Sequence, residues 1–153
     1  MEGIKIYRKT IFVDGANVDR SPMAEIIMKQ ELRERLKRDL LEEKASKFEI
    51  DSAALFTSMG KFKNNAIEAL KVLGYEIPLN LEVRNLNKMK VLMRDKIYVI
   101  DPELKGLFLS QYPEAEKRTE VLLQESIDPW GKSFDEYLAS ALQIRAAIRK
   151  ILD

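Results

Sequence analysis

The chain has 153 residues and 46% apolar composition, the size of one ordinary domain with a substantial core. Its net charge of +1 with 33% charged residues argues against a basic face for nucleic acid, and no stretch approaches the ~20 apolar residues that cross a membrane. The sequence has no cysteine and no histidine, which excludes disulfides, thiol chemistry, cysteine or histidine zinc sites and any Ser–His–Asp triad.

The first predicted unit is a strand, a tight turn and a long helix. Residues 10–14 (TIFVD) are an apolar run ending in Asp-Gly, which predicts a buried strand followed by a turn. Ser21 is the predicted N-cap of a helix with Pro22 near its start, and apolar positions at helical spacing extend this helix to about Lys44. Such a junction presents backbone N–H groups and the positive end of a helix, so it favours an anion.

Alternating strands and helices are predicted for the rest of the chain. FEIDSA (48–53) is a strand, residues 55–64 form a loop, and the next helix stops at Gly74. Further strands are predicted at 96–101 and 118–124, further helices at 85–93, 102–111 and 134–152, and a turn at 127–133. This alternation implies a parallel sheet with helices on both faces.

Ligands of such sheets bind beyond the carboxyl ends of the strands. Five polar residues lie in or after predicted strands and are expected to gather there: Asp14, Asp51, Ser52, Asp101 and Asp128.

Residues 13–22 (VDGANVDRSP) carry the strongest functional signal. The planar fork of Arg20 can hold two oxygens of a phosphate, and Asn17 can hydrogen-bond across the loop. On residue types alone, a plain strand–turn–helix junction with a surface arginine fits the sequence equally well.

The segment VDGANVDRSPMAE (13–25) resembles the signature of the low-molecular-weight protein tyrosine phosphatases, V-C-x-G-N-x-C-R-S-P-M-A-E. Similar pieces follow in the family's order: FEIDSA, NNAIEALKVLGYEIP, VRNL, YVIDPELKGLF and IDPWGKSFDEY. The resemblance implies one domain over residues 1–153. It also implies a three-layer α/β sandwich whose central four-stranded parallel sheet is flanked by helices, the phosphotyrosine protein phosphatase I fold.

The resemblance also implies roles for individual residues. Asp14 occupies the position of the nucleophilic cysteine, Arg20 that of the phosphate clamp, and Asp128 that of the general acid. Ser21 matches the hydroxyl that steadies the leaving thiolate, and Trp130 matches an aromatic wall beside the substrate ring. The implied phosphate-binding loop consists of Gly15, Ala16, Asn17, Val18, Asp19, Arg20 and Ser21, with Asn17 shaping it.

The implied partner is a phosphotyrosine protein or a small aryl phosphate, without metal, cofactor, nucleic acid or membrane. Because the N-terminal stretch MEGIKIYRKT lacks the apolar core of a signal peptide, we expect a cytosolic protein.

Several positions depart from the family pattern. Aspartate replaces the nucleophile, Asp19 replaces the second loop cysteine, and Ala16 replaces a loop glycine. Leu81 lies where a histidine normally supports the loop asparagine.

The carboxylate of Asp14 changes what the loop can bind. We expect it to be ionised, to pair with Arg20 and to occupy the empty site as an internal anion. A bound phosphate dianion at ~4 Å would meet a repulsion of about 4 kcal/mol at an effective dielectric constant of ~20. Hydrolysis of phosphotyrosine is therefore expected to be absent or very slow.

Three alternatives stay open at this point. Asp14 could act as the nucleophile of a Mg²⁺-dependent phosphatase, with Asp19 and Asp128 helping to hold the ion. The segment FVDGAN also resembles the opening strand of metal-dependent PIN/NYN-type ribonucleases. A non-catalytic interaction module is the third. On residue types, Asp128 also fits a simple Asp-Pro turn, and Trp130 fits core packing.

Overall fold

The structure is a computed structural model that describes residues 7–153. Residues 1–6 lie outside the described residues. They belong to the N-terminal stretch on which the cytosolic prediction rests and to the predicted domain over residues 1–153. The strands are β1 Lys9–Asp14, β2 Glu49–Ala54, β3 Lys96–Val99 and β4 Thr119–Val121. The α-helices are α1 Arg20–Arg38, α2 Asn64–Val72, α3 Lys88–Leu92, α4 Pro102–Gln111 and α5 Phe134–Leu152, and 3-10 turns occupy Glu42–Lys47 and Pro113–Arg118.

The four strands form one parallel sheet in the order β2-β1-β3-β4. The crossovers from β1 to β2 and from β3 to β4 run in opposite directions along the sheet, so right-handed connections place α1 and α4 on opposite faces. These observations confirm the predicted α/β architecture. The end of β1, where the direction reverses, is the expected ligand position of such a sheet.

The core lies on both sides of β1. Phe12 and Met23 are fully buried, and Ile27 of α1 is buried with Ile144 of the C-terminal helix, against which α1 packs. This packing fixes the start of α1 relative to the end of β1. Of the helices in residues 7–153, none is long and apolar enough to span a membrane.

The long first helix ends earlier than predicted, at Arg38 instead of about Lys44. Leu40 adopts the left-handed conformation with φ 58, and the N–H of Leu41 donates to the carbonyl of Leu36 at 2.7 Å. This is a Schellman ending, which normally carries glycine at the left-handed position. The sequence offers no glycine there, so the helix end was not predicted.

Candidate active site

The carboxylate of Asp14 lies buried beneath the loop that joins β1 to α1. Asp14 is the last residue of β1 and is only 2% exposed. One carboxylate oxygen accepts the backbone N–H of Asn17 at 2.6 Å, and the other accepts that of Ser21 at 2.8 Å. The side chain thus takes up two of the loop's own anion-binding donors, as predicted for an internal anion.

Asn17 holds the loop in shape. It adopts a left-handed backbone conformation with φ 56, and its side-chain amide donates to the hydroxyls of Ser21 at 2.8 Å and Ser52 at 2.9 Å. Its side-chain oxygen accepts the backbone N–H of Arg84 at 2.9 Å. Support therefore comes from β2 and from the segment before α3, and no histidine equivalent is needed at Leu81.

A chain of charged groups stands behind Asn17. The Ser52 hydroxyl donates to the Glu25 carboxylate at 2.7 Å, and Glu25 also pairs with Arg84 at 2.7 Å. Arg84 continues to Asp51 at 2.7 Å. Asp51 therefore lies in this supporting network, and not among the residues that line the loop cavity. Sequence reasoning missed Glu25 and Arg84, although Glu25 stands inside the SPMAE motif.

The predicted pair between Arg20 and Asp14 is wrong. The guanidinium of Arg20 instead pairs with Asp101 at 3.0 Å and donates to the Ser126 hydroxyl at 2.8 Å. Its other terminal nitrogen lies 3.8 Å from Asp128. Asp14 is unavailable to Arg20 because backbone N–H groups hold both of its oxygens.

The Nε of Arg20 is buried and has no hydrogen-bond partner among residues 7–153. The residue as a whole is 6% exposed and lines the cavity above the loop. A buried, unpaired guanidinium nitrogen is costly unless an acceptor fills the site.

Asp19, and not Ser21, is the N-cap of α1. Its carboxylate accepts the backbone N–H of Arg20 at 2.6 Å, while its carbonyl accepts that of Met23 at 3.0 Å. The Tyr137 hydroxyl lies 3.4 Å from the other carboxylate oxygen. Ser21 is the second residue of the helix and is fully buried, and its hydroxyl accepts a hydrogen bond from the side-chain amide of Asn17. The predicted N-cap was therefore two residues too late in the sequence.

Burial changes the protonation of both aspartates. It raises the pKa of Asp14 above its ordinary value, against the opposing effects of the Ser21 and Asn17 N–H groups and of Arg20. It also raises the pKa of Asp19 to about 6, and the negative charge of Asp14 adds to this shift. The hydrogen bonds and Arg20 favour the charged form of Asp14, as expected, but desolvation outweighs them and shifts the pKa upward.

A cavity of about 430 Å³ opens above the loop. Its rim is aromatic and apolar, with Phe56, Met59 and Trp130, and the side chain of Asp128 is 61% exposed at the mouth. Trp130 is 62% exposed with the Lys63 ammonium 5.7 Å from its ring centroid. The core-packing interpretation of Trp130 is therefore wrong.

The loop still offers free donors. The backbone N–H groups of Gly15, Ala16, Val18 and Asp19 find no acceptor within the described part of the chain. By contrast, residues 7–153 contain no group of three or more acidic side chains placed to hold a metal ion, so the magnesium arrangement of Asp14, Asp19 and Asp128 is not formed. The geometry suits an oxyanion.

Comparison with known proteins identifies the fold. The sequence matches no protein-family profile and no curated protein. A low-molecular-weight protein tyrosine phosphatase structure from T. tengcongensis is 25% identical, with TM-score 0.75 over 92% of this chain and 95% of that chain. The tyrosine phosphatase Wzb from Escherichia coli in complex with sulphate is 15% identical, with TM-score 0.79 over 95% and 96%.

A third match is a YwlE arginine phosphatase mutant with a phosphorylated active-site serine, 24% identical, with TM-score 0.78 over 94% of this chain and 92% of that chain. The chain is therefore a single-sheet α/β protein. Its fold is that of the low-molecular-weight protein tyrosine phosphatases, which confirms the predicted resemblance. The same matches give no support to the PIN/NYN-type ribonuclease alternative.

Proposed function

We propose that the loop from Asp14 to Ser21 is a phosphomonoester site of the low-molecular-weight tyrosine phosphatase type whose nucleophile has been replaced. It takes phosphotyrosine or a small aryl phosphate, and as the chain stands it hydrolyses them very slowly or not at all. The observation that carries this proposal is the buried carboxylate of Asp14, both of whose oxygens accept loop N–H groups.

The bonding of Asp14 explains the expected loss of turnover. A nucleophile must direct an available lone pair at phosphorus, in line with the leaving oxygen. The carboxylate oxygens of Asp14 are already engaged by the N–H groups of Asn17 and Ser21. Attack on phosphorus from this position must therefore first break hydrogen bonds that hold both oxygens in the loop.

The rest of the cavity supports an aryl phosphate as the ligand class. Unpaired N–H groups and the free Nε of Arg20 can bind phosphate oxygens, while Phe56 and Trp130 can flank an aromatic ring. Asp128 stands at the mouth, where a general acid would protonate a leaving phenolate. Tyrosine phosphatases among the structural neighbours are consistent with this class.

The test is hydrolysis of an aryl phosphate with excess Mg²⁺ and, separately, with a chelator. We expect no turnover by the wild type or by Asp14→Ala, and measurable turnover by Asp14→Cys in either condition. Arg20→Lys in the Asp14→Cys background is the matched control and should abolish that turnover, since lysine cannot bind two phosphate oxygens as a fork.

Other outcomes would assign another function. Wild-type turnover that requires Mg²⁺ would favour the metal-dependent aspartyl mechanism, and rapid, chelator-resistant wild-type turnover would contradict the proposal. Phosphorylation of an active-site serine in the YwlE mutant shows that an oxygen nucleophile can be phosphorylated in that protein. Intact mass of the wild type after incubation with aryl phosphate therefore checks for a phosphoryl adduct on Asp14.

A further inference from the structure

The cavity above the loop is rich in carboxylates. Among the described residues that line it, Arg20 is the one cation, whereas Asp14, Asp19 and Asp128 contribute three acidic groups. The charge of Arg20 is already matched by Asp101 at 3.0 Å. A doubly charged oxyanion would therefore enter a site that has no unmatched positive charge.

The same cavity nevertheless carries the donors of an oxyanion site. The loop before α1 leaves the N–H groups of Gly15, Ala16, Val18 and Asp19 without acceptors in the described part of the chain, and the buried Nε of Arg20 is unpaired within residues 7–153. Arg20 is more than nine-tenths buried and lines the cavity. The free N–H donors of the cavity favour binding of an anion, whereas the negative net charge of its lining residues opposes it. Protonation of one of these carboxylates would remove the opposing charge and leave the donors in place.

We infer that the loop from Asp14 to Ser21 binds a tetrahedral oxyanion together with a proton, taken up by the pair Asp14 and Asp19, so that occupancy of the site rises as the pH falls. This inference rests on the proposed phosphomonoester site and adds its regulation by pH.

The groups facing the pair identify it as the proton acceptor. Asp14 faces Arg20 and Asp19, and Asp19 also faces Asp128 and, from α5, the hydroxyl of Tyr137. Burial, together with the negative charge of Asp14, raises the pKa of Asp19 to about 6, and burial raises the pKa of Asp14. A bound dianion adds negative charge, so it favours the protonated form further.

Protonation also improves the bonding available to the guest. A neutral carboxyl keeps an acceptor oxygen for a loop N–H and gains one O–H donor, which an anion oxygen can accept. If Asp14 carries the proton, its O–H can turn toward the guest while Asn17 or Ser21 retains an acceptor. One proton taken up corresponds to an affinity that rises about tenfold for each pH unit of acidification.

The experiment is calorimetric titration of the full chain with sodium sulfate between about pH 5 and about pH 8, in two buffers of different ionisation heat. Sulfate remains a dianion throughout this range, so only the protein can take up protons. We expect an affinity gain of about tenfold per unit over part of the range, with uptake of roughly one proton per sulfate bound.

Variants identify the proton acceptor. The double variant Asp14→Asn/Asp19→Asn should bind sulfate at about pH 8 as tightly as the wild type does at about pH 5, with no pH dependence and no proton uptake. Asp39→Asn removes one carboxylate at the C-cap of α1, far from the loop, and should behave as the wild type. If the double variant does not fold, carboxyl ¹³C titration of the wild type replaces it, and sulfate should raise the apparent pKa of the pair.

The outcomes separate the inference from the proposed function. Sulfate that binds equally at both ends of the pH range overturns the inference and leaves the phosphomonoester site standing. A pH slope that survives in the double variant, or a carboxyl titration that sulfate does not change, also overturns the inference. If the wild type, the double variant and Asp14→Cys all fail to bind sulfate at every pH, both proposals are wrong.

Discussion

Replacing Asp19 with asparagine should stabilise the protein at neutral pH, and the gain should disappear in acid. Burial, reinforced by the charge of Asp14, raises the pKa of Asp19 from 3.8 to about 6. A carboxyl with a higher pKa in the folded protein than in the unfolded chain binds its proton more tightly when folded. That contribution to stability is fully present below about pH 4 and is lost as the pH rises through about 6.

The size of the effect follows from the two pKa values. The difference between 3.8 and about 6 corresponds to about 3 kcal/mol of unfolding free energy at neutral pH. Asparagine at position 19 keeps the cap, because its oxygen can still accept the N–H of Arg20. Asp19→Asn should therefore be more stable than the wild type by up to about 3 kcal/mol at about pH 7, and nearly equal to it at about pH 4.

Urea unfolding of both proteins at the two pH values measures this difference, and titrating groups that do not interact with Asp19 cancel in the comparison. The reasoning about burial and like charge would be refuted by a gain that is the same at both pH values, or by a variant that is less stable at neutral pH.

Leu40→Gly should stabilise the protein by about 1 kcal/mol in thermal or urea unfolding, because Leu40 is 87% exposed and adopts a left-handed φ of 58. The control is Leu142→Gly inside the last helix, where the same replacement should destabilise the protein by about 1 kcal/mol. Burial opposes ionisation of Glu31, yet hydrogen bonds from neighbouring arginine and tyrosine side chains lower its pKa to about 2. Glu31→Gln should therefore cost about 1 kcal/mol in urea unfolding at about pH 7 and much less at about pH 2, and an equal loss at both would contradict this. In the Asp14→Cys background, Trp130→Ala should raise the KM for an aryl phosphate while leaving sulfate affinity unchanged; a parallel loss of both would place Trp130 against the anion instead of the ring.

The architecture was predictable because its signals are local. The apolar run that ends at Asp14, the Asp-Pro start of the helix after β3 and the glycine at position 74 each act within a few residues. The order of the motif pieces added the topology. The early end of α1 was not predicted because Leu40 adopts a left-handed conformation that its side chain disfavours, and the sequence does not signal such a conformation.

The partners inside the site were less predictable, because they are separated far along the chain. Arg20 finds Asp101 and Ser126, which are 81 and 106 residues away. Glu25 finds Arg84 at a separation of 59 residues. Local reasoning paired Arg20 with Asp14 because both stand in one loop, and it gave too little weight to the backbone N–H groups that reach Asp14 first.

The side chain of Asp14 holds the empty loop together. The N–H groups of Asn17 and Ser21 belong to residues that are 1% and 0% exposed, so without Asp14 they would be buried and unpaired. In a loop of this shape a bound oxyanion would otherwise satisfy such groups. Asp14 thus supplies, at the cost of its own desolvation, the acceptor oxygens that a bound phosphate would otherwise supply. The raised pKa of this side chain and its hydrogen bonds to the loop therefore have one cause, the burial of a carboxyl group inside an anion-binding loop.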